Sequence, residues 1–276
     1  MSISAKDVKK LRDATGAGMM DCKKALSEAD GDMDKAIEIL RKKGQQVSEK
    51  RSEREANEGL ILTRISDDRK KASAIEINCE TDFVARNEDF QNQANKFLNA
   101  AYENDISSVE DLMSIEIDGL SAEKHLEEMV GKIGEKIEIA RVVLLETDGT
   151  LVDYIHPGNQ LGVLVEFDGN LTDDEIGKDV AMQIAAMNPL AATRDGVDAT
   201  VVEKELEIAK EQLINEGKPA EIAEKASKGK LRRFYEERVL LEQKFVKDNG
   251  ITVKEYLEQN DAPLVKSFNR MQLGEA

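Results

Sequence analysis

The apolar residues change their spacing on either side of one short stretch, Asn78-Cys79-Glu80-Thr81-Asp82-Phe83-Val84-Ala85-Arg86. Upstream, Ala74-Ile75-Glu76-Ile77 carries an apolar residue at every second position, the mark of a strand with one face buried. Downstream, Phe90, Ala94, Phe97, Leu98 and Ala101 recur at three- and four-residue spacing, the mark of an amphipathic helix. An acid and a large aromatic, Asp82 and Phe83, therefore sit at a strand-to-helix junction, where a rigid scaffold can present side chains to a partner. On these residues alone two readings stand. Either Phe83 folds back into the local core while Asp82 caps the helix, or the pair faces outward.

Around this junction the chain divides by pattern. Residues 1–44 read as a module of three short helices. Ser4 and Asp7 form a capping box, Val8 and Leu11 an apolar face, and Thr15-Gly16-Ala17-Gly18 a break. Cys22, Ala25 and Leu26 point inward from the second helix, and Lys23 and Lys24 lie on a solvated face. Asp32 caps the third helix, Met33, Ala36, Ile37 and Leu40 form its face, and Gly44 is its expected stop. Residues 45–58 lack an apolar stripe and read as a linker. Residues 59–135 hold a hairpin, with strands Leu60–Ile65 and Ala72–Cys79 around a turn at Ser66–Arg69. The junction and its helix follow, then helices started by Ser108 with Asp111 and by Ser121, the last broken at Gly134.

From residue 136 strands return: Ile137 to Leu145, Leu151–Ile155 and Leu161–Phe167, the last two flanking His156-Pro157-Gly158-Asn159. A helix with a Thr172/Glu175 capping box runs to Asn188-Pro189. Residues 59–135 and 136–197 thus read as two small α+β halves. In residues 198–228, Val202, Leu206, Ala209 and Leu213 form a narrow heptad seam. The turn at Gly217-Lys218-Pro219 follows, and Ile222 and Ala226 continue the seam. This is an antiparallel helical hairpin, either packed on another subunit or simply solvated. In residues 229–276, Leu231 to Phe245 reads as helix. Thr252 with Glu255 starts a short helix, and Leu264 to Phe268 reads as a final strand returning to the second half.

Composition narrows the function. The net charge of −17 disfavours a broad phosphate-binding face, so direct nucleic-acid binding is not expected. Cys22 and Cys79 are too few for a disulfide framework or a zinc site and suit a reducing cytosol. No apolar stretch at the start suggests a signal peptide, and no run approaches a membrane span. Phosphate loops, dinucleotide fingerprints and nucleophile elbows are absent from the sequence, His125 and His156 are its two histidines, and no metal-ligand cluster is visible. By elimination the chain acts by binding a macromolecule, with no catalytic site, cofactor or metal of its own.

Several stretches resemble bacterial elongation factor Ts. Leu11-Arg12 with Thr15-Gly16-Ala17-Gly18-Met19-Met20-Asp21-Cys22-Lys23-Lys24-Ala25-Leu26 is similar to the family's amino-terminal signature. Cys79-Glu80-Thr81-Asp82-Phe83-Val84-Ala85 is similar to its second signature. Lys132-Ile133-Gly134-Glu135, the His156 turn with Leu161-Gly162-Val163-Leu164-Val165, and Gly217-Lys218-Pro219 through Ile222-Ala223-Glu224-Lys225 fit in order and spacing. The resemblance implies an α+β protein: an N-terminal ubiquitin-associated-like three-helix bundle, a two-part α+β core, and an inserted coiled-coil hairpin that pairs two copies. It implies a cytoplasmic guanine-nucleotide exchange factor that binds elongation factor Tu. Thr81, Asp82, Phe83 and Val84 would intrude beside the GTPase's nucleotide site and displace Mg²⁺. Lys23, Ile133, Gly134, His156 and Val246 would be further partner contacts, although Phe245-Val246-Lys247-Asp248 departs from the family pattern. The competing expectation is an adaptor that tethers a GTPase without remodelling its nucleotide site.

Overall fold

Side-chain oxygens start most of the helices, as the capping patterns require. In the computed structural model, which describes residues 3–275, Ser4 and Asp7 form the capping box of α1 (Ala5–Thr15). Gly16, at φ 67°, ends this helix in the left-handed region. Helices α2 (Met19–Glu28) and α3 (Met33–Arg51) follow, α3 capped by Asp32. Val8, Leu11, Cys22, Ala25, Leu26 and Ala36 close a small core among the three.

Strands β1 (Glu58–Ile65) and β2 (Lys71–Cys79) lead to the single helical turn α4 (Asp82–Ala85), then α5 (Glu88–Glu103) and α6 (Val109–Ser114). A minimal hairpin, β3 (Glu116–Ile117) and β4 (Leu120–Ser121), precedes α7 (Ala122–Ile133) and β5 (Ile137–Glu146). Next come β6 (Thr150–Ile155), β7 (Leu161–Phe167) and α8 (Asp174–Met187). The long hairpin is α9 (Ala199–Asn215) and α10 (Ala220–Arg238). The chain finishes with β8 (Lys244–Phe245), β9 (Asp248–Thr252), α11 (Val253–Gln259) and β10 (Val265–Gln272).

Two antiparallel three-stranded sheets form the body, in the orders β1-β2-β5 and β10-β7-β6. The first packs Ile75, Ile77, Ile137 and Ile139 against Phe90, Phe97, Leu98 and Val130 of its helices. The second packs Val163, Val165 and Phe167 against Val180, Ile184, Val253 and Leu257. The remaining faces meet each other: Ile61, Ala72 and Ala74 pack with Leu151, Leu164 and Met271. The fold is α+β, with helices outside and the two sheets back to back.

Several expectations change. The alternation at residues 74–77 marks a strand buried on both faces, because the second sheet covers the side where Glu76 points. Glu76 is 2% exposed and is compensated by Arg141 at 2.5 Å, whose other nitrogen donates to the Gln272 carbonyl of β10. The division at 135/136 moves, since β5 pairs with β2 and belongs to the first sheet. No side-chain pattern announces which strand a strand will join. Thr172 is not the cap of α8; Asp173 holds that place and accepts from the Glu175 N–H. The hairpin is longer than 198–228: α10 runs unbroken to Arg238, and the helix expected up to Phe245 gives way to a tight turn at Leu240–Glu242 and strand β8. Its seam is also turned by one residue. Ala223 and Ser227 are buried, while Ile222 is 54% exposed. Pro219 occupies the cap position, and α10 begins at Ala220.

Gly44 does not stop α3, and the segment 45–58 is helical as far as Arg51. The glycine that close approach requires at this crossing is its neighbour Gly131. A Cβ built on Gly131 of α7 would lie 2.7 Å from the Gly44 Cα, so the two helix backbones touch at this crossing. Arg41 pairs with Glu128 at 2.8 Å and Gln45 donates to Glu127 at 2.9 Å beside it. The first module is thereby fastened to the body. Gly131→Ala is expected to lower the unfolding free energy by about 1–3 kcal/mol in urea titrations, because backbone must move to admit the methyl. Gly44→Ala, whose Cβ would meet neighbours at an ordinary 3.5 Å, is expected to be neutral or stabilising by up to about 1 kcal/mol through helix propensity.

Candidate functional site at the strand-to-helix junction

Strand β2 ends at Cys79, paired with Ile137 of β5. The backbone then turns through Glu80 and Thr81, which is extended at φ −131°, ψ 150° and stands at the cap position of α4. Its hydroxyl does not cap the helix. It donates instead to Glu135 Oε1 at 2.8 Å, while the Thr81 N–H donates to Glu135 Oε2 at 3.1 Å. Glu80 accepts from the Lys136 N–H at 2.6 Å, from Arg54 at 2.9 Å and from Arg51 at 2.8 Å. The Lys136 N–H, followed by the two guanidinium groups, pulls the Glu80 carboxyl from its ordinary 4.5 down to about 2, against the opposing effect of burial.

On this base, Ala85 is buried and Val84 packs on the first core. Phe83 points away and is 82% exposed. The reading in which Phe83 folds back into the core is thus overturned, and Asp82 is not the cap: it is the first residue of α4 and pairs with Arg86 at 3.0 Å. Asn87 starts α5 at once by accepting from the Asp89 and Phe90 N–H groups, which keeps α4 to one turn. An exposed phenylalanine on so braced a turn leaves about 1.5–3 kcal/mol of burial free energy unused in the isolated chain.

Two clefts flank the turn. One of about 500 Å³ is lined by Phe83 and Val84 together with Ile133, Lys132 and His125 of α7 and with Thr15 and Gly16 at the end of α1. The other, about 320 Å³, sets Asp82 and Arg86 opposite Glu58 and the loop Gly158–Gln160. The structure thus brings Asp82, Phe83, Val84 and Ile133 to one place, with Gly134 beside Ile133 as the left-handed cap of α7 at φ 79°. His156 lies in the turn bordering the second cleft, exposed, its Nδ1 2.9 Å from the Tyr154 hydroxyl. That turn is tied to β1 by the Ile61 N–H, which donates to the Asn159 carbonyl at 2.7 Å. Lys23 and Val246 line neither cleft. Lys23 is exposed on α2 near the exposed Met19 and Met20. Val246 is exposed between β8 and β9, its N–H held by the buried Gln183 at 2.8 Å.

Sequence reasoning gave no role to Glu80, Glu135, Arg51 or Arg54. The available signal was two glutamates just outside neighbouring strands, Glu80 one residue after the end of β2 and Glu135 two residues before the start of β5. The Cys79 thiol, at the root of the junction, is pushed up to about 12, by burial first and by the Glu135 charge second, and stays protonated at neutral pH. Among the described residues no metal-ligand cluster is found and no helix is long and apolar enough to cross a membrane.

The family model for Elongation factor TS matches residues 80–275, starting at Glu80 itself. The chain is 48% identical over 277 residues to the elongation factor Ts of Amoebophilus asiaticus, covering 99% of this chain and 100% of that one. It is 49% identical over 284 residues to that of Prosthecochloris aestuarii and 46% identical over 274 to that of Christiangramia forsetii, with 99% of each chain covered in both cases. The chain belongs to the elongation factor Ts family, a family of translation elongation factors.

Glu80 gives a pH test. Its folded pKa lies below the ordinary value, so its charge stabilises the fold above about pH 4.5 and that contribution is lost as pH falls toward about 2. The stability difference between wild type and Glu80→Gln, measured by chemical unfolding, is expected to be widest above pH 4.5 and to shrink through this interval.

Proposed function

We propose that this protein is the guanine-nucleotide exchange factor of elongation factor Tu. It binds the GTPase, displaces the partner's Mg²⁺ and speeds GDP release so that GTP can enter. The observation that carries this reading is Phe83, exposed at the tip of a turn that its neighbours hold still. Membership of the elongation factor Ts family supports it. In a GTPase, Mg²⁺ bridges phosphate oxygens and neutralises their charge. An aromatic pushed between the elements that carry the ion's ligands gains its own burial while moving those ligands apart. Asp82 adds negative charge where the displaced loops would otherwise return, with Thr81 and Val84 holding the turn's shape.

The exchange is a linkage. Binding of the factor weakens nucleotide by as much as nucleotide weakens the factor, so an incoming GTP expels it. No covalent step is required, and the protein works as a binding partner without a catalytic site of its own. Ile133 and Gly134 beside Phe83, His156 across the second cleft, Lys23 on α2 and Val246 complete the contact set. The setting is the cytoplasm, and neither nucleic acid nor membrane is a direct partner. Two copies associate through the α9–α10 hairpin, where the exposed Ile208 and Ile222 would be covered.

Stopped-flow release of labelled GDP from elongation factor Tu tests the central reading. Wild type is expected to speed release strongly. Asp82→Ala with Phe83→Ala is expected to lose about thirtyfold of that effect, the equivalent of about 2 kcal/mol of aromatic burial, with an unchanged melting temperature because Phe83 is exposed. Release unchanged by wild type would leave only a tethering adaptor. Sedimentation equilibrium tests the pairing: a dimer that Ile222→Glu turns into a monomer is expected, and a wild-type monomer at all concentrations rejects it.

A further inference from the structure

The β2–β5 ladder does not end where its backbone bonds end. Its last backbone pair is Cys79 with Ile137. The next positions across the same register are 80 with 136 and 81 with 135. At both, a carboxylate takes the place of a main-chain carbonyl. Glu80 on one strand accepts the Lys136 N–H of the other, and Glu135 on the second accepts the Thr81 N–H of the first. One bond runs in each direction between the strands, at two adjacent positions of the register. Each carboxylate has further donors that fix its rotamer: the Thr81 hydroxyl on Glu135, and Arg51 and Arg54 on Glu80. These arginines stand at the end of α3 and just beyond it, and α3 is itself seated on α7 by the Gly44–Gly131 contact.

Two outward features leave this extended ladder from opposite strands. Phe83 follows Thr81 by two residues, and Ile133 precedes Glu135 by two, and both line the larger cleft. We propose that Glu80 and Glu135 are positioning residues for nucleotide exchange. The carboxylate pair carries strand pairing past its last main-chain bond, so that Phe83 and Ile133 move as one body, aimed by α3. The proposal rests on the exchange reading of Phe83. Without the clasp the turn keeps its sequence and its aromatic but loses its direction. Binding energy that was delivered to the partner's metal loops is then spent on re-ordering the turn.

The experiment separates aim from docking. GDP release from elongation factor Tu is measured over a range of factor concentrations, giving a maximal rate and a half-saturating concentration. Glu135→Ala and Glu80→Ala are expected to lower the maximal rate about tenfold while changing the half-saturating concentration by less than about threefold, because α2 and Lys23 stay in place. Glu135→Gln, which keeps one acceptor for the Thr81 N–H, is expected to restore most of the rate. Hydrogen exchange of the Thr81 and Lys136 amides is expected to be slow in wild type and to quicken in the alanine variants. Should either alanine variant fail to fold, Thr81→Val decides: it removes only the hydroxyl bond to Glu135, and a severalfold fall in maximal rate at unchanged half-saturation is expected. Wild-type maximal rates in the variants that fold, with Phe83→Ala impaired, would overturn the positioning role. A Phe83→Ala variant that keeps the full wild-type rate would instead overturn the exchange reading on which it rests.

Discussion

Strand β2 is buried on both faces, and what the protein presents hangs from its end. One face meets the aromatic residues of α5 and the other meets the second sheet. Such a strand cannot shift register, because a slip of one residue would exchange Ile75 and Ile77 for Glu76 in an apolar layer. The single acid it carries inward is held by Arg141, and through Arg141 the first sheet is bonded to the last strand of the chain. The junction after Cys79 therefore starts from a fixed point. An exposed aromatic on a mobile loop would lose much of its binding free energy to ordering, whereas one on this base does not.

Charge is used locally rather than as a broad field. The chain carries 56 acidic against 39 basic residues, yet the cations near the junction are already engaged. Arg51 and Arg54 hold Glu80, Lys132 holds Asp89 at 3.1 Å, and Arg86 holds Asp82. Lys23 stands apart on α2 among exposed methionines. In the proposed exchange role, a surface of this kind attracts basic partners over distance and leaves shape, at Phe83 and the two clefts, to decide the fit.

Short-range chemistry was legible in the chain. The caps at Ser4, Ser108 and Thr252 stand where the three-residue spacings place them, Asp32 and Ser121 cap as read, and the Thr172 spacing misses by one residue, because a cap is settled mostly by its near neighbours. The exposed Phe83 was one of two readings, and only packing could choose between them. What sequence pattern missed depends on distant partners. Gly44 reads as a stop until Gly131 lies against it. Strand β5 reads as the start of a second half until it pairs with β2. Glu80 and Glu135 carry no pattern of their own until the register sets Glu80 opposite the Lys136 amide and Glu135 opposite the Thr81 amide. On α10 it is Ala223 and Ser227, not Ile222, that turn inward, which depends on how α9 lies against it.

The long hairpin leaves and rejoins the body at a single place. Ala191 bridges Val239, Leu190 donates to the Arg238 carbonyl, and Leu240 donates to Ala191. Val197, Val201, Val202, Phe234 and Tyr235 gather around that crossing as a small collar. To the two sheets the hairpin is thus a loop whose ends are already closed, and its outer length carries no information about the core. Whole helical turns could be added to or taken from its tip during evolution without a strand changing place, which makes this the part of the molecule most free to diverge in reach.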